Sequence, residues 1–287
     1  MHKKVKYIRT SSATHMVGDG FRVQPFVARD MWLDLSPFLL LDYFAPWQLM
    51  PTQHPRGVGV HPHRGFETVT ILWQGALAHE DSTGGKGTLF PGDVQWMTAG
   101  SGILHKEFHE AAFSATGGIL HGAQLWVNLP AAHKNHPPRY QELQAANIPV
   151  VLLDEGRVKA RIIAGTLGTA ASPVETFTRI NLYDLNAQPG SNCTISLPNG
   201  DNAALLVLNG TVQLNNETVV RSGEIAVLQQ NGTMVEIEAN NEAHLLLLSG
   251  QPIEEPIAAY GPFVMNTQQE IHQAVDDYNR GTFGILK

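Results

Sequence analysis

The chain has 287 residues, of which 43% are hydrophobic and 16% are charged, so it is long enough for one large or two medium globular domains. Its 26 acidic and 19 basic residues give a formal net charge of -7, which argues against nucleic acid or an anionic membrane surface as a direct partner. The single cysteine, Cys193, excludes an internal disulfide framework. Without a signal-like N-terminus or a run of 18 apolar residues, we expect a cytoplasmic protein with no membrane attachment.

The first strong pattern along the chain is a dense apolar run at 36–44, which lies between Pro37 and Pro46 and predicts a buried strand or the wall of a pocket. From Gly57 onward, short β-branched and aromatic runs such as 68–73 and 94–97 alternate with glycine-containing turns. Closely spaced short strands with turn residues between them predict an antiparallel sandwich or barrel.

Two short patterns in this region carry the side chains of a metal site. His61 and His63 are two residues apart, and His105 and Glu107 repeat that spacing. Because alternate residues of a strand point to the same face, two such strands facing each other present three nitrogens and one oxygen to a common centre. That set is typical of a divalent transition metal with open positions for substrate or oxygen.

Glu67 competes with Glu107 for the role of fourth ligand. It lies four residues after His63, so an unbroken strand places it roughly 13 Å further along and a bulge is needed to bring it back. Glu107, two residues from His105, needs no bulge. His79, followed by two acidic residues, is interpreted as part of a turn, with a supporting role beside the metal as the alternative.

The amino-acid composition changes at 134–150, where proline, alanine and glutamine are frequent. This composition predicts a linker with a short helix at 140–146. Beyond it the strand pattern returns, and Asn209-Gly210 and Ser222-Gly223 mirror Gln74-Gly75 and Pro91-Gly92 of the first half. The chain therefore resembles a tandem repeat of one β-domain. We predict domains at 1–133 and 151–287, with an amphipathic helix at about 268–280.

The second copy lacks the metal ligands of the first. Counting back from Gly210 as from Gly75, the places of His61 and His63 fall on Ser196 and Pro198, neither of which is a plausible ligand. Any metal centre therefore belongs to the first domain.

Long motifs of the chain resemble one family, the pirins of the cupin superfamily. The resemblance is carried by 61–70, 92–107, 37–42, 124–130 and 260–267, including His61-Pro62-His63-Arg64-Gly65-Phe66-Glu67 and Gly100-Ser101-Gly102-Ile103-Leu104-His105-Lys106-Glu107. It implies an all-β fold of two tandem jelly-roll (double-stranded β-helix) cupin domains with a short C-terminal helix. It also implies one metal in the N-terminal domain, usually iron(II), with nickel, manganese, cobalt, copper or zinc as alternatives.

Carried over by position, the pirin metal ligands fall on His61, His63, His105 and Glu107. This departs from the general cupin pattern, in which the carboxylate comes from a place like that of Glu67. The resemblance therefore supports Glu107 as the ligand and leaves Glu67 as an acceptor that orients an imidazole.

The resemblance also implies two functions. Some bacterial pirins are quercetin 2,3-dioxygenases, whereas animal members act as nuclear transcriptional cofactors and other bacterial members are linked to control of metabolic enzymes. Our leading hypothesis is a metal-dependent dioxygenase that opens a flavonol-like ring with O2, acting on a small aromatic hydroxy-ketone, with Glu107 or Glu67 as the proton acceptor. The alternative is a non-catalytic, metal-dependent regulator that acts through a protein partner, and we expect a monomer in either case.

Overall fold

The computed structural model describes residues 1–11 and 13–286. In the described part of the chain, the strands as far as Leu143 are β1 (Val5–Thr10), β2 (His15–Val17), β3 (Phe21–Val27), β4 (Phe38–Leu49), β5 (Gly57–His63), β6 (Phe66–Gln74), β7 (Leu77–Asp81), β8 (Lys86–Leu89), β9 (Val94–Thr98), β10 (Ile103–His109), β11 (Gly118–Asn128) and β12 (Arg139–Leu143).

The strands of the second half follow the same style of short runs and tight turns. They are β13 (Val150–Leu153), β14 (Val158–Ala164), β15 (Thr166–Leu167), β16 (Ala170–Ala171), β17 (Ile180–Ala187), β18 (Asn192–Ser196), β19 (Asn202–Asn209), β20 (Thr211–Leu214), β21 (Thr218–Arg221), β22 (Glu224–Leu228), β23 (Met234–Ala239), β24 (Ala243–Gly250), β25 (Ala258–Tyr260) and β26 (Phe263–Met265). The α-helices are α1 (Trp32–Leu35), α2 (Ala111–Thr116) and α3 (Gln268–Asn279), and single 3-10 turns lie at Arg29–Met31, Ala131–His133, Ala145–Asn147 and Asp154–Gly156.

The chain forms two compact units, and neither is a continuous stretch of sequence. The N-terminal unit contains Ala13–Pro25, Phe38–Ala145 and the residues from Ile253 onward. The C-terminal unit contains the residues up to Ser11, Phe26–Pro37 and Ala146–Pro252. The spatial units thus differ from the ranges 1–133 and 151–287, because each end of the chain packs with strands that are distant in sequence.

The N-terminal unit consists of two antiparallel sheets, with strand orders β12-β9-β6-β11-β4-β3-β2 and β5-β10-β7-β8. Side chains from both sheets share one core, in which Phe44 and Leu72 of the larger sheet pack with Leu77 and Leu89 of the smaller one. The central strand β6 is buried along most of its length, as expected for a strand between two neighbours with both faces covered.

The C-terminal unit repeats this plan, with strand orders β1-β22-β19-β24-β17-β14-β13 and β18-β23-β20-β21. Its interior is a large aliphatic cluster drawn from both sheets, including Leu205, Val212 and Leu245. The two tandem β-domains expected from the repeat are therefore present as two copies of one strand order.

Two local predictions have different outcomes. The helix predicted at 140–146 is wrong, because 139–143 form β12, whose Tyr140 pairs with Met97 of β9 at an edge of the larger sheet, and 145–147 form a single 3-10 turn. The predicted C-terminal helix is confirmed as α3, which begins with a capping box in which the Thr267 hydroxyl accepts from Glu270 N and the Glu270 carboxylate accepts from Thr267 N. Among the described residues, no helix has the length and hydropathy needed for a membrane span.

Candidate metal centre

The candidate centre lies where β5 and β10 pair in the smaller sheet of the N-terminal unit. His105 is the backbone partner of His61, and Ile103 is the partner of His63. Burial alternates along β10, so that His105 and Glu107 face the interior while Lys106, between them, is only partly buried. Pro62 is tolerated between the two histidines because β5 is an edge strand, where a missing N–H breaks no inner ladder bond.

The three imidazoles predicted as ligands converge. Their ring centroids are 4.8 Å apart for His61–His63, 4.2 Å for His61–His105 and 4.8 Å for His63–His105. One ring nitrogen from each lies within 4.8 Å of those of the other two. This spacing suits one ion bound by all three.

The hydrogen bonding of these rings leaves nitrogens free for a metal. His61 Nδ1 lies 2.8 Å from the Gly59 carbonyl, an arrangement that orients this half-exposed ring. Within the described chain, the buried His63 Nδ1 and both ring nitrogens of the buried His105 have no hydrogen-bond partner. Unpartnered polar atoms are costly in a protein interior, so their presence here fits a divalent transition metal.

The electrostatics keep the two buried rings neutral, which is the form that binds a metal. Burial lowers the pKa of His63 well below its usual value, with a further contribution from the nearby His61 and an opposing one from the Pro262 carbonyl. Burial likewise lowers the pKa of His105, and the neighbouring imidazoles add to the effect.

Glu107 faces the same interior but lies outside the group of three imidazoles whose ligand atoms are within 4.8 Å of one another. The Gln124 side-chain amide donates to both of its carboxylate oxygens, at 3.0 and 3.2 Å. Glu107 lines two spaces, an inner cavity of about 20 Å³ and an outer groove of about 360 Å³ beside Gly59 and Lys106. The carboxylate faces the interior with Gln124, whereas the outer groove is lined by Lys106 and Phe108, the neighbours that alternate with Glu107 along β10.

Glu67 is not on the strand of His63, because the chain turns between them. Gly65 has φ +87°, and a Cβ there would lie 1.9 Å from the Val264 carbonyl, so this turn requires glycine. The turn carries Glu67 into β6 of the other sheet, where its carboxylate accepts a 2.7 Å hydrogen bond from Thr98. Burial raises the pKa of Glu67 to about 7, against the opposing effect of that hydrogen bond.

Three functional candidates were missed or misjudged from the sequence. The turn predicted at His79 is wrong: His79 lies in β7, is buried, and stacks on Tyr140 at 5.0 Å. The alternation of Leu77, His79 and Asp81 was the available signal for an inward-facing strand. Gln124 and Asp42, which both line the inner cavity with Glu107, gave no signal because an isolated polar residue in an apolar run does not reveal what it faces.

The C-terminal unit has aliphatic side chains and one cysteine where the N-terminal unit has imidazoles. The corresponding strand pair, β18 and β23, places Ile195 opposite Val235 and Cys193 opposite Ile237, all of them buried. In the part of the chain that the structure describes, the one cluster of three or more potential ligands is that of His61, His63 and His105.

Comparison with known families gives a match in each half of the chain. The model described as "Pirin" matches residues 20–127, and the model described as "Pirin C-terminal cupin domain" matches residues 182–284. The chain belongs to the pirin family. The resemblance stated from the motifs is thereby confirmed, and with it the pair of pirin cupin domains.

Several relatives extend over the whole of this pirin. A Pseudomonas aeruginosa protein named "Putative quercetin 2,3-dioxygenase" is 48% identical and aligns over 98% of each chain. The crystal structure of a quercetin 2,3-dioxygenase from Acinetobacter baumannii has a TM-score of 0.97 at 44% identity and covers 100% of each chain. A bacterial pirin from Escherichia coli, solved in complex with nickel(II), covers 86% of this chain and 99% of its own with a TM-score of 0.65, and at 19% identity it shows the fold alone.

Proposed function

We propose that this pirin is a metal-dependent dioxygenase that opens the ring of a flavonol-like, quercetin-type substrate with O2. The observation that carries the proposal is the convergence of three imidazoles, two of them buried with unpartnered ring nitrogens, beside a carboxylate. The names of the two relatives above 40% identity support an oxidoreductase of this substrate class.

The proposed ligands are His61, His63 and His105, with Glu107 as the fourth. The resemblance to pirins implies iron(II) as the first choice, and nickel, manganese, cobalt, copper and zinc are the alternatives that an imidazole-rich donor set admits. The nickel bound by the Escherichia coli pirin is consistent with this range of metals. When bound, a metal of this kind supplies Lewis acidity that polarises the oxygen of a substrate hydroxyl.

The protein itself contributes access and proton transfer. His61 is partly exposed, which makes the outer side of the centre the proposed approach for an aromatic hydroxy-ketone. A groove of about 360 Å³ lies further back along the same strand, at Gly57 to Gly59, and its volume is within the range of ligand pockets, about 300–1,000 Å³. Glu107, whose carboxylate faces the interior beside Gln124, is the proposed acceptor of the hydroxyl proton. Glu67 is the second candidate, but its carboxylate is 1% exposed and bound to Thr98, which supports Glu107 for the role.

The test is anaerobic loading with each of the candidate metals in turn, followed by addition of quercetin and oxygen. We expect loss of the flavonol absorbance and release of carbon monoxide with at least one metal, and neither signal from the His63→Ala protein. Failure to consume the flavonol with any metal would refute the proposed activity.

A second candidate function is metal-dependent regulation through a protein partner. The inner cavity of about 20 Å³ has room for one water but not for a flavonol. The bend after His63 is tied to the C-terminal segment by the Arg64–Asp277 ion pair at 2.6 Å. A metal that fixes this bend would also fix the C-terminal surface. Affinity capture from the parent lysate with and without chelator separates the two functions, because a stoichiometric partner that is lost with chelator supports regulation.

A further inference from the structure

The contact between Gln124 and Glu107 joins the two sheets of the N-terminal unit at the level of the candidate centre. Gln124 lies on β11, between Asp42 of β4 and Thr70 of β6 in the backbone register. Its amide reaches across the interior to both oxygens of Glu107 on β10. Because Glu107 is a buried carboxylate, a donor at this position is worth more than an ordinary hydrogen bond.

The carboxylate of Glu107 is bound to Gln124 and is not part of the imidazole cluster. One ring nitrogen from each of the three imidazoles lies within 4.8 Å of those of the other two, whereas Glu107 falls outside that group and both its oxygens accept from Gln124. An oxygen that moves to a metal gives up at least part of its hydrogen bond to the amide. The Gln124 amide and the metal therefore compete for the same carboxylate.

A second acceptor, the Thr70 hydroxyl, lowers the free-energy cost of releasing Glu107 from Gln124. Its Nε2 also lies 3.3 Å from the Thr70 hydroxyl oxygen, so the amide retains a buried partner when Glu107 moves. Without such a partner, release of the carboxylate would leave an unsatisfied donor in the interior.

We propose that Gln124 is a positioning residue that acts as a latch on Glu107, holding the carboxylate off the imidazoles until metal or substrate draws it in. The proposal rests on the proposed metal centre and adds to it the residue that sets when the fourth ligand engages. Gln124 acts only through Glu107 and takes no part in proton transfer.

The test is the affinity for Co(II), measured by chelator competition, together with the visible d–d spectrum, which reports the number of ligands. Gln124→Met removes the donors at similar volume, and Gln124→Asn retains an amide that is too short to reach. We expect both variants to bind Co(II) about tenfold more tightly, which is the effect of one hydrogen bond to a charged group. Their spectra should show a larger share of carboxylate-bound Co(II) than the spectrum of the wild type.

Two controls make the result specific. Gln95→Met changes another buried glutamine of the same sheet that has no bond to Glu107, and its affinity should equal that of the wild type. In the Glu107→Gln background, Gln124→Met should have no further effect on affinity. Unchanged or weaker Co(II) binding by both Gln124 variants would overturn the latch alone, whereas absence of Co(II) binding by the wild type would overturn the proposed metal centre and the latch with it.

Discussion

At the scale of single residues, the candidate centre depends on His63 and His105, whose buried ring nitrogens without hydrogen-bond partners are unfavourable in the metal-free protein. His63→Ala and His105→Ala should each lower metal affinity by more than about 100-fold, since loss of even an outer partner of a ligand typically costs 10–100-fold. Because each substitution also removes a buried unpartnered group, the metal-free variants should stay folded. Metal content and circular dichroism measure the two effects.

The exposed His54, which is outside the cluster, provides the matched control. His54→Ala should retain wild-type metal content. Full occupancy in His63→Ala would show that the cluster is not the binding site.

A second residue-scale prediction concerns Asp42, whose pKa is raised to about 6 by burial. The folded state therefore holds its proton to a higher pH than the unfolded chain, in which the pKa of Asp is about 3.9. Between about pH 4 and 6 the unfolded state binds fewer protons, so the free energy of unfolding should fall as pH rises, by about 3 kcal/mol in total. Asp42→Asn should remove this decrease and stabilise the metal-free protein at pH 7.

Denaturant titrations of both proteins across pH 4–7 measure the difference. If the free energy of unfolding changes with pH by the same slope in the wild type and in Asp42→Asn, Asp42 is not the source of the decrease. Glu155→Gln, on an exposed turn, provides the control. Asp93 is unsuitable for this purpose, because its carboxylate accepts from the backbone N–H groups of Phe90 and Ala145.

At the scale of elements, the turn between β5 and β6 decides which side chains meet. Gly65 has φ +87° and its would-be Cβ overlaps the Val264 carbonyl at 1.9 Å, whereas Gly84 has φ +90° and open space around it. Gly84→Ala should therefore cost only the conformational penalty of about 1–2 kcal/mol. Gly65→Ala should cost distinctly more and should also weaken metal binding, because the bend that follows His63 must move.

Urea unfolding and metal titration of the two alanine variants check this prediction. Equal loss of stability in both would mean that the contact with the C-terminal segment does not constrain the bend. The same segment is held by the buried Lys134, whose ammonium donates to the carbonyls of Gly65 and Val264 at 2.8 and 2.9 Å.

At the scale of the whole molecule, two units share one topology but only the N-terminal unit has the candidate centre. Metal should therefore stabilise the N-terminal unit, by about 2.7 kcal/mol at 100 times the dissociation constant, and leave the C-terminal unit unchanged. Hydrogen exchange read by mass spectrometry should show metal-dependent protection in peptides from 57–109 and none in peptides from 192–239. Equal protection in both ranges would argue against a single site.

The sequence by itself determined the two β-domains, the C-terminal helix and the convergence of His61, His63 and His105. These follow from local rules, since residue spacing in a strand fixes which side chains share a face and glycine turns mark where strands end. The family motifs added the tandem cupin topology, now evident in the matching strand orders.

Only the tertiary structure decided what depends on contacts between distant segments. The residues at 139–143 form an edge strand because they pair with β9. The N-terminal residues belong to the C-terminal unit and the C-terminal residues to the N-terminal unit, an arrangement that local sequence patterns do not reveal. His79 and Gln124 face the interior because of the strands they pair with, and the hydrogen bonds from Gln124 to Glu107 cross from one sheet to the other. Such contacts have no sequence period, so the position of the carboxylate relative to the three imidazoles had to come from the fold.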